Sequence, residues 1–144
     1  MRAIRAFGFG TLVAASACGP RTLAPEPIPL DRAHCARCDM IISDARNAAQ
    51  AVSPSDDTRF YDDIGCLARD RAARAKGLRL FVRDGAADGW LPVEQAFFAR
   101  PAGLETPMGY GITAFASEAA ARRADRDGTA RHWPDVVREA EAAR

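Results

Sequence analysis

The sequence predicts an α+β domain. Three observations carry this reading: apolar runs of strand length, helix-start and helix-stop residues flanking stretches of helical spacing, and no regular β-α-β alternation of the kind that builds a parallel sheet. The chain has 144 residues, 48% hydrophobic and 27% charged, enough for one domain with one core. With 20 Lys and Arg against 19 Asp and Glu, the formal charge is +1. That balance offers no basic surface for a phosphate backbone, so nucleic acid is excluded as a partner class.

The N-terminus is read before the fold, because targeting segments imitate structure. Arg2 and Arg5 precede an apolar stretch from Ala6 to Ala15, too short for the roughly 20 apolar residues a membrane span needs. Residues 1–17 therefore read as an export signal. Ala15-Ser16-Ala17-Cys18 resembles a bacterial lipobox, which makes Cys18 a lipidation site and the membrane a partner through that anchor. Removal of residues 1–17 takes two arginines and no acid, leaving a net charge of −1. Residues 18–30 hold Pro20, Pro25, Pro27 and Pro29, a spacing that favours an extended tether reaching about 40 Å at about 3.1 Å per residue. Residues 31–144 form the folded domain.

Within that domain, Met40-Ile41-Ile42 and Ala48 to Val52 are short apolar runs separated by polar residues and read as a hairpin. Thr58 to Tyr61 is a further strand. Asp62 and Asp63 start a helix as cap and first-turn acid, and Ile64, Leu67, Ala68, Ala72 and Ala75 follow at helical spacing. Lys76-Gly77 closes that helix as basic last turn and C-cap. Leu78 to Val82 reads as a strand, and Trp90 to Phe98 fits either a strand or a short helix. Gly109 to Phe115 reads as extended. Ser117 caps a helix running to Arg126, which Asp127-Gly128 stops, and Pro134 in a first turn starts a last helix to Ala142.

The chemistry concentrates in His34-Cys35-Ala36-Arg37-Cys38-Asp39-Met40. A Cys-x-x-Cys has three readings: a redox pair, half of a zinc site, or a structural disulfide. Met40, two residues beyond Cys38, would place a thioether and a thiolate on one side of an extended segment. Such soft sulfur ligands prefer Cu(I), whereas zinc favours thiolates and imidazoles. Met108 is a second soft side chain, set in Thr106-Pro107-Met108-Gly109-Tyr110-Gly111, whose proline and glycines imply a presenting turn. Core packing is the competing account of both methionines. Cys66 reads as a small buried side chain, and no Ser/His/Asp arrangement or phosphate-cradling glycine loop points to an enzyme.

Taken together, four stretches resemble the NosL family, copper-binding lipoproteins that help mature nitrous oxide reductase. They are the segment ending at Cys18, Cys35 to Asp44, Phe60 to Leu67, and Thr106 to Phe115. The chain departs from the family pattern in having Asp39 where Gly is usual and Tyr61-Asp62-Asp63 where Phe-Asp-Asp is usual. The resemblance implies two related β-β-α-β units with a distant likeness to the organomercury lyase core. It also implies a Cu(I) site built from Cys38, Met40 and Met108, with His34 as an additional ligand. By the same resemblance the partners are an ABC-type maturation transporter and nitrous oxide reductase. The implied place is the periplasmic side of a bacterial membrane, and Gly19 after the lipidated cysteine favours the outer one. The expected role is Cu(I) delivery without catalysis. Two other readings stand beside it: a periplasmic thiol-disulfide protein using Cys35 and Cys38, and a cysteine-dependent carbon-metal lyase using Cys66 with Asp63.

Overall fold

The computed structural model describes residues 23–55, 57–75 and 77–143; Cys18 and the export signal lie outside them. These residues form a small mixed domain of two antiparallel sheets and three helices, an α+β fold. The first sheet has the order β2-β1-β3-β4, formed by Arg59–Tyr61, Ala49–Val52, Arg79–Arg83 and Trp90–Pro92. The second pairs β5, Phe97–Ala99, with β6, Thr113–Phe115. The helices are α1, Ile64–Arg69; α2, Glu118–Ala124; and α3, Trp133–Ala142.

Strand β1 lies at the centre of the first sheet, with Ala49 opposite both Tyr61 of β2 and Val82 of β3. All four of its residues are buried, which suits a strand paired along both edges and covered on its faces. The run β1–β2–α1–β3 is a β-β-α-β sequence. After β5–β6–α2 the chain returns at Arg131, which bridges Phe98 in antiparallel fashion through two hydrogen bonds of 2.9 Å. The two sheets meet where Gly85 N–H donates to the Ala114 carbonyl at 2.7 Å. One core joins Ile42, Tyr61, Ile64, Leu67, Val82, Phe98, Ile112 and Val136, and α3 packs across α1.

Several boundaries differ from the sequence reading. Met40–Ile42 makes no hairpin with β1, because β2 and β3 occupy both edges of that strand. Instead Ile42 exchanges hydrogen bonds with Asp31 and Ala33, and His34 bridges Ile41. Helix α1 ends at Arg69 and not at Ala75. Asp70 leaves the helical region with ψ 101, accepts a hydrogen bond from the buried Tyr61 hydroxyl at 2.8 Å and accepts another from Ala72 N–H at 2.9 Å. This side chain competes with the helix for backbone donors and wins through its tertiary partner. Trp90 to Phe98 resolves into two strands separated by a turn at residues 93–95. Gly109 and Gly111 have φ of +71° and +61°, so the extended segment begins only at Thr113. Ser117 caps α2 as expected, accepting from Ala120 N–H.

Ahead of Asp31 the chain is already seated on the domain. Glu26 N–H donates to the buried Gln50 side chain at 2.8 Å, Gln50 Nε2 donates back to the Glu26 carbonyl at 3.1 Å, and Ile28 packs on the core.

Candidate metal centre

Two chain segments build the site. The first is the loop from Cys35 to Met40, closed by Cys35 N–H to the Met40 carbonyl at 2.8 Å and by Asp39 N–H to the Cys35 carbonyl at 2.9 Å. Asp39 makes this reversal with φ +63°, a region glycine enters without steric cost. Ala36 N–H docks the loop on the Phe60 carbonyl at 2.8 Å. Cys38 and Met40 are therefore part of a tight turn and not of the extended segment that the sequence suggested.

The second segment is Asp62 to Cys66 at the start of α1. Asp63 is the N-cap: its Oδ1 accepts from Gly65 N–H at 2.9 Å. Its Oδ2 accepts from the Thr106 hydroxyl at 2.6 Å and from Met108 N–H at 3.1 Å. One buried carboxylate thus fixes the helix start and the Met108 loop together. Gly65 permits the same approach, since a Cβ there would fall 2.1 Å from the Tyr110 ring. The cap is thus Asp63, expected as a first-turn acid, and Asp62, expected as the cap, precedes it; the Asp62 carboxylate faces the Cys38 thiol, with Sγ to Oδ distances of 3.4 and 3.6 Å.

The consequence is a cluster in which one ligand atom from each of Cys35, Cys38, Asp62 and Cys66 lies within 4.8 Å of the others. These donors could hold a metal ion. Cys35, Asp62 and Cys66 are buried and Cys38 is half-buried, so the group has a closed inner side and one ligand near solvent. A hydrogen bond from the Cys66 thiol lowers the Cys35 thiol to about 6 against the burial that opposes it. Burial first, with neighbouring Cys35 and Asp62 adding to it, raises Cys38 to about 11. Cys66 is raised by the same hydrogen bond to Cys35 and by burial. A bound cation would displace the remaining thiol protons, as thiolate ligation requires. Asp62 also lines a cavity of about 780 Å³ whose wall includes Pro107, next to Met108.

Of the copper ligands that the resemblance implies, Cys38, Met40, Met108 and His34, only Cys38 belongs to this group. His34 stands apart and exposed, its Nδ1 3.0 Å from the Asp39 carbonyl and 3.2 Å from the Asp39 carboxylate. Met40 and Met108 are 46% and 42% exposed, which removes core packing as the account of either. The Cys-x-x-Cys marks Cys35 beside Cys38 as a redox pair or half of a zinc site, whereas sequence reasoning missed Asp62 and Cys66 as their companions. Local spacing offered no signal for this pair, because Asp62 lies before the extended cap Asp63 and Cys66 within α1. No family model and no curated protein matches the chain.

Proposed function

We propose that this chain is a lipid-anchored Cu(I) metallochaperone of the NosL type, acting on the periplasmic side of a bacterial membrane. Cu(I) is its cargo, passed toward the copper-sulfide centre of nitrous oxide reductase with the help of an ABC-type maturation transporter. The observation that carries the reading is the exposure of Met40 and Met108, Met40 lying two residues beyond the half-buried Cys38. Asp62 faces Cys38 and its neighbour Asp63 holds the Met108 backbone. A thiolate and two thioethers suit Cu(I), since soft sulfur donors select it, and exposed ligands can be exchanged one at a time with an acceptor. His34, also exposed, supplies an optional fourth donor. The left-handed backbone at Asp39 accounts for glycine being usual at that position in the family this chain resembles.

The thiol-disulfide reading has the contact between Cys35 and Cys38 in its favour but leaves two exposed methionines without a role. Competition titration against a Cu(I) chelator separates the two. Cys38→Ser and Met108→Leu should each weaken Cu(I) binding strongly; wild-type affinity in both would remove the proposed site. The delivery role is tested by the copper content of nitrous oxide reductase from a strain deleted for this gene and grown under copper limitation, where full metallation would refute it. Cys18→Ala should release the protein from the membrane fraction.

A further inference from the structure

The Cu(I) set uses one of the three described cysteines. Cys35 and Cys66 remain, 2% and 1% exposed, with their sulfurs in the same cluster as Cys38. We propose that Cys35 and Cys66 are a disulfide-forming pair, and that their oxidation leaves Cys38 as the single thiol of the site. The inference rests on the export and Cu(I) readings above, because export delivers the chain to a compartment where disulfides form and persist.

Three features select this pair. Both side chains point into the core from rigidly held backbone: Cys35 N–H is bonded to Met40 at 2.8 Å, and Cys66 N–H is bonded to the Asp63 carbonyl at 3.0 Å within α1. Their sulfurs lie within 4.8 Å, so side-chain rotation and a small backbone shift can bring them to the roughly 2.05 Å of a disulfide bond. Cys38, by contrast, directs its sulfur to the Asp62 carboxylate at 3.4 Å and is only half-buried, which leaves it as the odd thiol facing solvent.

The oxidant is a disulfide, that of a periplasmic thiol oxidase in the cell or glutathione disulfide in the test tube. One cysteine thiolate attacks it, giving a mixed disulfide and releasing one thiol; the second cysteine thiolate attacks the first sulfur and releases the other. Two cysteine thiols are oxidised to one disulfide, one disulfide is reduced to two thiols, and both protons leave on the products. Closure is completed as the chain folds, before the two sulfurs are buried. The effect on the site is selective: the four-donor group of three sulfurs and a carboxylate is reduced to Cys38 and Asp62, while Met40 and Met108 keep their places. An oxidised chain is then a one-thiolate site for a monovalent ion.

The test equilibrates the full chain in a buffer of reduced and oxidised glutathione, unfolded and refolded so that every thiol is reachable. Remaining thiols are then alkylated and mapped by peptide mass spectrometry. The expected result is a Cys35–Cys66 cross-linked peptide two hydrogens lighter than its reduced parts, with alkylation at Cys38. With Cys18, the fourth cysteine of the sequence, removed from the exchange by Cys18→Ala, alkylation at Cys35, Cys38 and Cys66 together, or a cross-link that contains Cys38, overturns the proposal. Cys38→Ser must give the same cross-link, and its loss in that variant counts equally against the pairing. Cu(I) competition on the oxidised chain keeps the two readings distinguishable. Affinity within about threefold of the reduced protein is expected, a change of under about 0.7 kcal/mol. A formed cross-link with Cu(I) binding lost leaves the pairing intact and refutes the Cys38, Met40 and Met108 set. Intact Cu(I) binding with three alkylated thiols does the reverse.

Discussion

Asp63→Asn should destabilise the domain more than any isosteric substitution at its surface. The native carboxylate is fully buried and accepts three hydrogen bonds, from Gly65 N–H at 2.9 Å, Thr106 Oγ1 at 2.6 Å and Met108 N–H at 3.1 Å. An asparagine has one oxygen and one NH2. If the oxygen faces Thr106 and Met108, the NH2 meets the Gly65 N–H and the helix cap is lost, at about 1 kcal/mol. If the oxygen caps the helix, two buried donors lose their acceptor, and each costs about 1–3 kcal/mol. Thr106 Oγ1 also accepts from Gly111 N–H at 3.0 Å, which ties its position to the same loop. The side chain takes the cheaper orientation, so the expected loss is about 1–2 kcal/mol. Urea unfolding followed by Trp90 and Trp133 fluorescence measures it. Thr106→Val combined with Asp63→Asn should show coupling of at least about 0.5 kcal/mol, since the two residues share one bond. A loss below about 0.5 kcal/mol for Asp63→Asn, the range of an ordinary surface change, would refute the claim that one carboxylate ties the helix start to the Met108 loop.

Three further outcomes follow from particular contacts. Asp125 is buried and, although burial opposes it, backbone N–H groups of Arg100, Asp127 and Thr129 and the Arg131 guanidinium hold its carboxyl down at about 2. The folded value lies below the ordinary one, so its contribution is complete above about pH 4 and is lost as pH falls through 2, amounting to about 2 kcal/mol. Asp125→Asn should therefore flatten the acid limb of a stability-against-pH curve in that window, and an unchanged limb would exclude Asp125 as its source. Asp39→Gly should be more stable than Asp39→Ala by about 1 kcal/mol in thermal unfolding, because φ +63° penalises a Cβ; equal stabilities would show the turn relaxes without strain. Gly65→Ala should cost about 1–3 kcal/mol by pushing the Tyr110 ring off α1, and Tyr110→Ala in the same chain should recover part of it in the same unfolding assay.

How far the sequence reaches depends on the range of the forces involved. Helix starts were legible, to within one residue at α1, where Asp63 caps in place of Asp62: Ser117 caps α2 and Pro134 sits in a first turn, because a cap acts on N–H groups two or three residues away. Strands β2 and β3 were legible from their apolar composition, while for Met108 the surrounding proline and glycines left a presenting turn and core packing both open, and the structure exposes it. The end of α1 was not, since Asp70 is held by a tyrosine nine residues earlier on a neighbouring strand. Nor was the place of Met40–Ile42, because local pattern marks a strand-forming run without saying which edge is free to receive it. The site shows the same division most clearly. Sequence alone marked Cys38 and the two methionines as soft donors, a property of atoms that any fold would preserve. Only the tertiary structure brought Asp62, 24 residues from Cys38, and Cys66 into one cluster with Cys35. A metal ligand set is defined by distances of a few ångströms, and spacing along a chain fixes such distances only within a turn or two. Beyond that range, the packing of β2 and α1 under the Cys35 loop decides which donors meet.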